Sequence, residues 1–298
     1  MLTPEYLTQQ IFNGIVFGAM YALLALGMTV IYGILRLIHF AHGALITVGA
    51  FCFYLFFMVF GLPFPAAIAL IIAVGALMGV MLDIVAYKKA VGGPEVSMLI
   101  TSLGFYIFIE NLMKLIVTPQ PYAFHPPLFL DKIYSMPMLT FRTIDIFIIV
   151  ISISIMVFFQ LFVKKTKMGT AMRATSESGE AARMLGININ RVISISFILA
   201  SAIAAITGFM WGAKYGQIAY NMGFMAGVKA FVAIVIGGVG SIPGAMLGGF
   251  ILGILEMFSV AFLPPGYAAY RDGIVFFILI LILIVKPSGI LGQRELES

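Results

Sequence analysis

Charge is scarce in this 298-residue chain: Asp, Glu, Lys and Arg make up 10% of it against 62% hydrophobic residues, and mean hydropathy is +1.12. That balance excludes an ordinary soluble domain, whose charged share is nearer a quarter. Cysteine is almost absent, so no disulfide framework can form within the chain and no thiolate metal cluster is suggested. The single Cys52 lies among Phe51, Phe53 and Tyr54 and reads as a packing residue. Basic residues are missing before Arg36, while Glu5 is present, so the positive region of a cleavable signal is lacking and the first apolar run is expected to stay as a span. Histidine is rare. His39 and His42 share a helical spacing but have no further ligand nearby, so no metal site is expected and hydrogen bonds to backbone carbonyls at a turn are the reading. A phosphate-cradling loop with Lys before Ser or Thr is absent, and the glycine run at 237–240 meets Pro243 where a dinucleotide fingerprint needs a third glycine. The chain should therefore not hydrolyse ATP. No convergent set of acids, histidine and nucleophile suggests an enzyme. The net charge of +5 fits topology and lipid headgroups better than nucleic acid.

What the chain has instead is long apolar runs. They predict an all-α polytopic integral membrane protein, because a helix satisfies its own backbone in lipid and the alternation of a barrel strand is absent. Spans are expected near 10–34, 42–60, 65–87, 96–117, 144–163, 192–213, 225–240, 245–263 and 271–286. Gly237, Gly238, Gly240, Pro243 and Gly244 interrupt the seventh and eighth, so 237–244 reads as a broken helix, a re-entrant hairpin or a turn between short spans. The total is eight or nine. Residues 1–298 read as a single transmembrane domain without room for an independent soluble core.

Lys and Arg collect on one side of that arrangement. Residues 164–191 carry Lys164, Lys165, Lys167, Arg173, Arg183 and Arg191 against Glu177 and Glu180; Lys88 and Lys89 follow the third span, and Lys286 and Arg294 follow the last. That side is expected to be cytoplasmic, with Arg36 on it. The proline-rich connection at 118–143 then becomes the main external loop. Nine spans would leave the N-terminus outside and the C-terminus inside, whereas eight would put both on one side.

The polar segment 164–191 is the one substantial surface for a soluble partner. Gly179 and Gly186 bracket Glu180 to Leu185, and Met168 to Thr175 precede them, so two short helices joined by a Ser and Gly turn are predicted, with Gly186 as a C-terminal cap. Ala181 and Ala182 offer a smooth surface, Met184 and Leu185 apolar anchors, and Arg173, Glu180 and Arg183 charged contacts. From charge alone, a docking surface and a solvated loop that merely sets orientation are equally good readings.

Within the apolar runs, ionisable residues are costly and few. Glu110 and Lys114, four apart, read as a structural ion pair on one helix face. Lys229 and Glu256 either pair with each other or line a pathway, unless Lys229 marks an interface by snorkelling. Asp83 reads as interfacial. Glycines four apart recur at Gly14 and Gly18, Gly75 and Gly79, Gly212 and Gly216, Gly244 and Gly248, and Gly249 and Gly253, and read as close-packed helix faces. Gly237, Gly238, Gly240 and Pro243 are candidates for a pathway wall or hinge.

Glu180-Ala181-Ala182, three residues and Gly186 form a pattern that resembles the coupling loop of ATP-binding-cassette (ABC) importer permeases. Gly169 to Ala174 and Asn188 to Val192 around it are similar to the branched-chain amino acid permeases in particular. The opening stretch from Asn13-Gly14 through Phe40-Ala41-His42-Gly43 to Gly49-Ala50, and the closing stretches Gly237 to Ala245 and Lys286 to Gly292, resemble the same family. His39 departs from it, since Asn is expected there. The resemblance implies an inner-membrane permease subunit for leucine, isoleucine and valine. It implies a second homologous permease, two cytoplasmic ATPase subunits that hold ATP and magnesium, and an external binding protein, with no cofactor in this chain. Arg173, Glu180, Ala181, Ala182, Arg183 and Gly186 would then couple to the ATPases. Relatives of this kind are associated with urea, short amides or other amino acids as alternative substrates, and an ion-coupled secondary carrier is the competing class.

Overall fold

The computed structural model describes residues 3–36, 39–87, 95–264, 267 and 270–292. Where lipid replaces water, a backbone must bond to itself, and among the described residues the apolar stretches are helices. These are α1 (Pro4–Leu35), α2 (Ala41–Phe53, continued as a π-helical stretch Tyr54–Val59), α3 (Phe64–Leu82, continued likewise over Asp83–Tyr87), α4 (Glu95–Ile116), α5 (Thr143–Lys165), α8 (Ile189–Tyr215), α9 (Met222–Gly237), α10 (Ile242–Phe262) and α11 (Arg271–Val285). The polar segment supplies α6 (Lys167–Glu177) and α7 (Gly179–Met184).

The nine expected spans thus correspond one to one with helices. Seven are long and apolar enough to cross a membrane. The 16 residues of α9 reach only about 24 Å at roughly 1.5 Å per residue, short of the ~30 Å hydrocarbon core. This is a multi-pass membrane protein. Its outer faces agree, for Leu77, Phe108, Leu115 and Phe158 stand exposed where lipid would cover them.

The chain divides into two compact units. One comprises residues 30–125 and 156–228. Here α8 packs on α2 and α3, and small residues make the close approach possible. A side-chain carbon on Gly208 would lie 2.9 Å from the Ala50 nitrogen, and one on Gly75 or Gly79 would lie 2.8 Å from the Ser201 oxygen or 2.6 Å from the Phe197 oxygen. The packing expected of Gly75 and Gly79 is therefore present. Gly216 behaves differently from its expectation: it ends α8 in the left-handed region at φ 71° and meets no packed neighbour. The Phe53 ring packs, tilted, 4.3 Å from Phe209 and 5.6 Å from Phe124 between centroids, forming an aromatic core. Strands β1 (Tyr122–Ala123) and β4 (Gln217–Ile218) pair antiparallel behind it.

The other unit comprises residues 1–29, 126–155 and 229–298. α1 crosses α10 where both are smooth: a carbon on Gly18 would lie 2.8 Å from Phe250 Cα and one on Gly14 2.9 Å from Ile254 Cα. Gly249 and Gly253 make the reciprocal approach to Ala22 and Gly18. The expected external loop holds a hairpin of β2 (Ile133–Met136) and β3 (Leu139–Arg142). It is clamped to the start of α1, because the Gln9 amide donates to the Thr140 carbonyl and accepts from the Thr140 N–H, both at 2.9 Å. The α1 N-terminus and the 133–142 hairpin are consequently on one side.

Candidate functional site

Three polar caps shape the 164–191 segment. Thr166 accepts from Gly169 N at 3.0 Å to start α6, Ser178 from Ala181 N at 3.2 Å to start α7, and Asn188 from Arg191 N at 3.1 Å to start α8. Each satisfies an orphan amide of a helix first turn. Gly186 closes α7 at φ 79°, a left-handed turn that a side chain would strain. The two short helices and the Gly186 cap stand as expected; Thr166 and Asn188 are caps that the charge pattern hid.

Burial then separates the six candidate coupling residues. Ala182 is buried at 1% exposure and holds α7 down, while Arg173, Glu180, Ala181, Arg183 and Gly186 face outward. Met184 and Leu185 are 80% and 79% exposed, an apolar pair set among charges. Leaving two such side chains in water forfeits the ~1.5–3 kcal/mol that burying each would return. Beside this surface lies a cavity of about 510 Å³, lined by the α6 to α7 turn, the α1 end at Ile34 to Arg36, Met98, Ile189 and Ile193. Arg36 therefore shares a side with the segment, as its charge suggested.

The interruption after α9 is closed by protein. Ile236 and Gly237 carbonyls, freed by the break, accept from Ile290 N at 2.9 Å and Leu291 N at 2.8 Å. Gly238 (φ 114°) lies against Gly292, and Ser241 caps α10 by accepting from Gly244 N at 3.1 Å, with Pro243 in its first turn. Gly240 adopts φ 81° in open space. Two stretches singled out separately in the sequence, 237–245 and 286–292, thus form one packed turn. Lys88, Lys89 and Arg294 lie outside the described residues.

Lys229 and Glu256 do pair, at 2.7 Å, and they do not stand alone. The Tyr21 hydroxyl on α1 donates to Glu256 Oε2 at 2.6 Å. From α11, Arg271 meets Glu256 at 3.3 Å, and Asp272 meets Lys229 at 3.0 Å and Arg271 at 3.7 Å. Four elements converge on a set of two cations and two anions that sums to zero. Glu256 is wholly buried and Lys229 nearly so. An uncompensated charge there would cost several kcal/mol, so the pairing is what permits the burial. Sequence reading reached half of it. Arg271 and Asp272 open the last apolar run, where nothing in the local sequence marks them as partners of Lys229 and Glu256.

Two expectations differ from the structure. Glu110 and Lys114 form no ion pair among the described residues: Lys114 sits 5.7 Å from the Tyr220 ring, and Glu110 adjoins the Tyr106 hydroxyl. Aromatic partners within reach displaced the intrahelical pair. Asp83 is buried within the protein and accepts from the Ser194 hydroxyl. His39 bonds the Tyr87 hydroxyl at 2.5 Å rather than a backbone carbonyl, with Phe197 against its ring. Burial first, and the neighbouring His42 second, hold His39 well below its ordinary pKa of 6.5.

Comparison with known proteins agrees with this architecture. Residues 10–283 match the family described as branched-chain amino acid transport system, permease component. The high-affinity branched-chain amino acid transport system permease protein LivH of Escherichia coli K12 is 37% identical, covering 98% of both chains. LivH of Salmonella typhimurium is 36% identical over the same shares, and BraD of Pseudomonas aeruginosa is 36% identical over 97% of each.

Proposed function

Because this chain belongs to the family of branched-chain amino acid transport permeases, we propose that it carries leucine, isoleucine and valine through the cytoplasmic membrane as one subunit of an ABC importer. Two cytoplasmic ATPases power it, a second homologous permease completes the pathway, and an external binding protein delivers substrate. ATP and magnesium belong to the ATPases. The observation that carries the reading is α7: a capped helix with Met184 and Leu185 exposed at its end, on the same side as Arg36.

Such a helix inserts its apolar pair into a groove of the motor, while Arg173, Glu180 and Arg183 orient it. Closure of the ATPase dimer on ATP moves α7, and α6, Ala182 and α8 carry that movement to the spans. The paired replacement M184D/L185D tests this. Both side chains are exposed, so membrane level should stay unchanged, whereas co-purification of the ATPases in mild detergent should fall by roughly tenfold or more, the loss of about 1.4 kcal/mol or more of binding. Gly186→Arg should act in the same direction by straining the φ 79° turn. Undiminished co-purification of the paired variant would remove α7 as the joint.

A further inference from the structure

The network around Glu256 contains two pairs that differ in kind. Lys229 and Glu256, from α9 and α10, form a directed hydrogen bond at 2.7 Å, and Tyr21 adds a second at 2.6 Å. Asp272 meets Lys229 at 3.0 Å as an ionic contact, and its Oδ1 makes no hydrogen bond. Arg271 and Asp272 are adjacent in sequence and 3.7 Å apart, so they form a neutral dipeptide of their own. They are 33% and 28% exposed, against 5% and 0% for Lys229 and Glu256. α11 packs along α10 with Val275 as its one fully buried residue among those described, and Ile274, Phe276, Ile278 and Leu279 are half-buried.

We propose that Arg271 and Asp272 are positioning residues for transport: a charge clip that lets α11 separate from α9 and α10 and return, with both halves remaining neutral throughout. The arithmetic of charge makes this possible. When the clip withdraws, Lys229 keeps Glu256 and Tyr21, and Arg271 keeps Asp272, so no ion is stranded in an apolar interior. A fixed anchor needs no such division. An anchor with one cation on α11 and one anion on α10 would hold as well, and would strand both on opening. The placement of one complete pair on each side suits an element that changes place within a cycle. This inference rests on the transport reading above and adds the element that moves.

Two measurements on the complete transporter in proteoliposomes test it, with wild-type uptake as the reference. D272N and R271Q each leave one net charge in the network. Each should cut the uptake rate by roughly tenfold at unchanged membrane level, whereas R271Q/D272N and the exchange R271D/D272R restore neutrality and should return uptake to within about threefold of wild type. Singles without effect, or neutral doubles no better than the singles, would overturn the clip. The second measurement uses spin labels on exposed positions of the two helices, Leu247 on α10 and Phe277 on α11, in a Cys52→Ala background. The distance distribution should shift between the nucleotide-free and ATP-trapped states. An unchanged distribution would overturn the proposal even if the charge variants behaved as expected. Absence of uptake by the wild-type complex would instead strike the transport reading itself.

Discussion

At the scale of single residues, burial decides chemistry that sequence spacing leaves open. His39 and His42 are three apart, and the sequence offers a backbone-bonded turn. The structure instead encloses His39 with Tyr87 and Phe197, where the neutral imidazole is favoured. In the unfolded chain the same group titrates near 6.5. Its folded pKa is depressed, so its contribution to stability is present above pH 6.5 and declines as pH falls toward the folded value, by up to about 1.4 kcal/mol per pH unit. The thermal midpoint in detergent should therefore drop between pH 7.5 and 5.5, and His39→Asn should reduce that drop. An identical pH response in the variant would show that other groups carry it. Glu110 and Lys114 teach the same lesson, for helical spacing allowed a pair, yet Glu110 adjoins the Tyr106 hydroxyl and Lys114 the Tyr220 ring.

At the scale of elements, glycine placement fixes which helices meet. Gly208 touches α2 backbone at Ile46 and Ala50, whereas Gly104 on α4 faces open space. Gly208→Ala should lower the thermal midpoint, with an overpacking cost of about 1–3 kcal/mol, and Gly104→Ala should leave it unchanged or slightly higher. Equal effects from the two would contradict the assigned packing. Much at this scale was legible in the sequence: all nine apolar stretches are helices, and α6, α7 and the Gly186 cap fall where polarity and turn residues put them. Partners across the fold were not legible. Nothing local to 237–244 reveals that residues 289–292 close it, and nothing local to Lys229 selects Arg271 and Asp272, because those pairings depend on how distant helices cross. The hairpin at 133–142 was hidden by prolines that read as loop.

At the scale of the whole molecule, span number and the placement of Lys and Arg orient the chain. In one unit Gln9 of α1 clamps the 133–142 hairpin, and in the other Ile34 to Arg36 line the cavity beside the α6 to α7 turn. With the basic α6 and α7 segment expected on the cytoplasmic side, nine spans put the N-terminus outside. A tag at the N-terminus should accordingly react with an external, membrane-impermeant probe in intact cells, while one inserted in the α7 turn should not; reaction of both, or of the α7 tag alone, would contradict the arrangement.

In the function proposed above, cytoplasmic ATPases drive leucine, isoleucine and valine through this chain by pulling on α7. The most direct measurement is uptake of labelled leucine into proteoliposomes holding this chain, the second permease and the ATPases, with the binding protein supplied. Accumulation should require ATP, should be suppressed by excess isoleucine and valine but not by excess urea, and should be abolished by M184D/L185D at unchanged permease level. Leucine entry that persists without ATP under an ion gradient, or that M184D/L185D leaves intact, would contradict it.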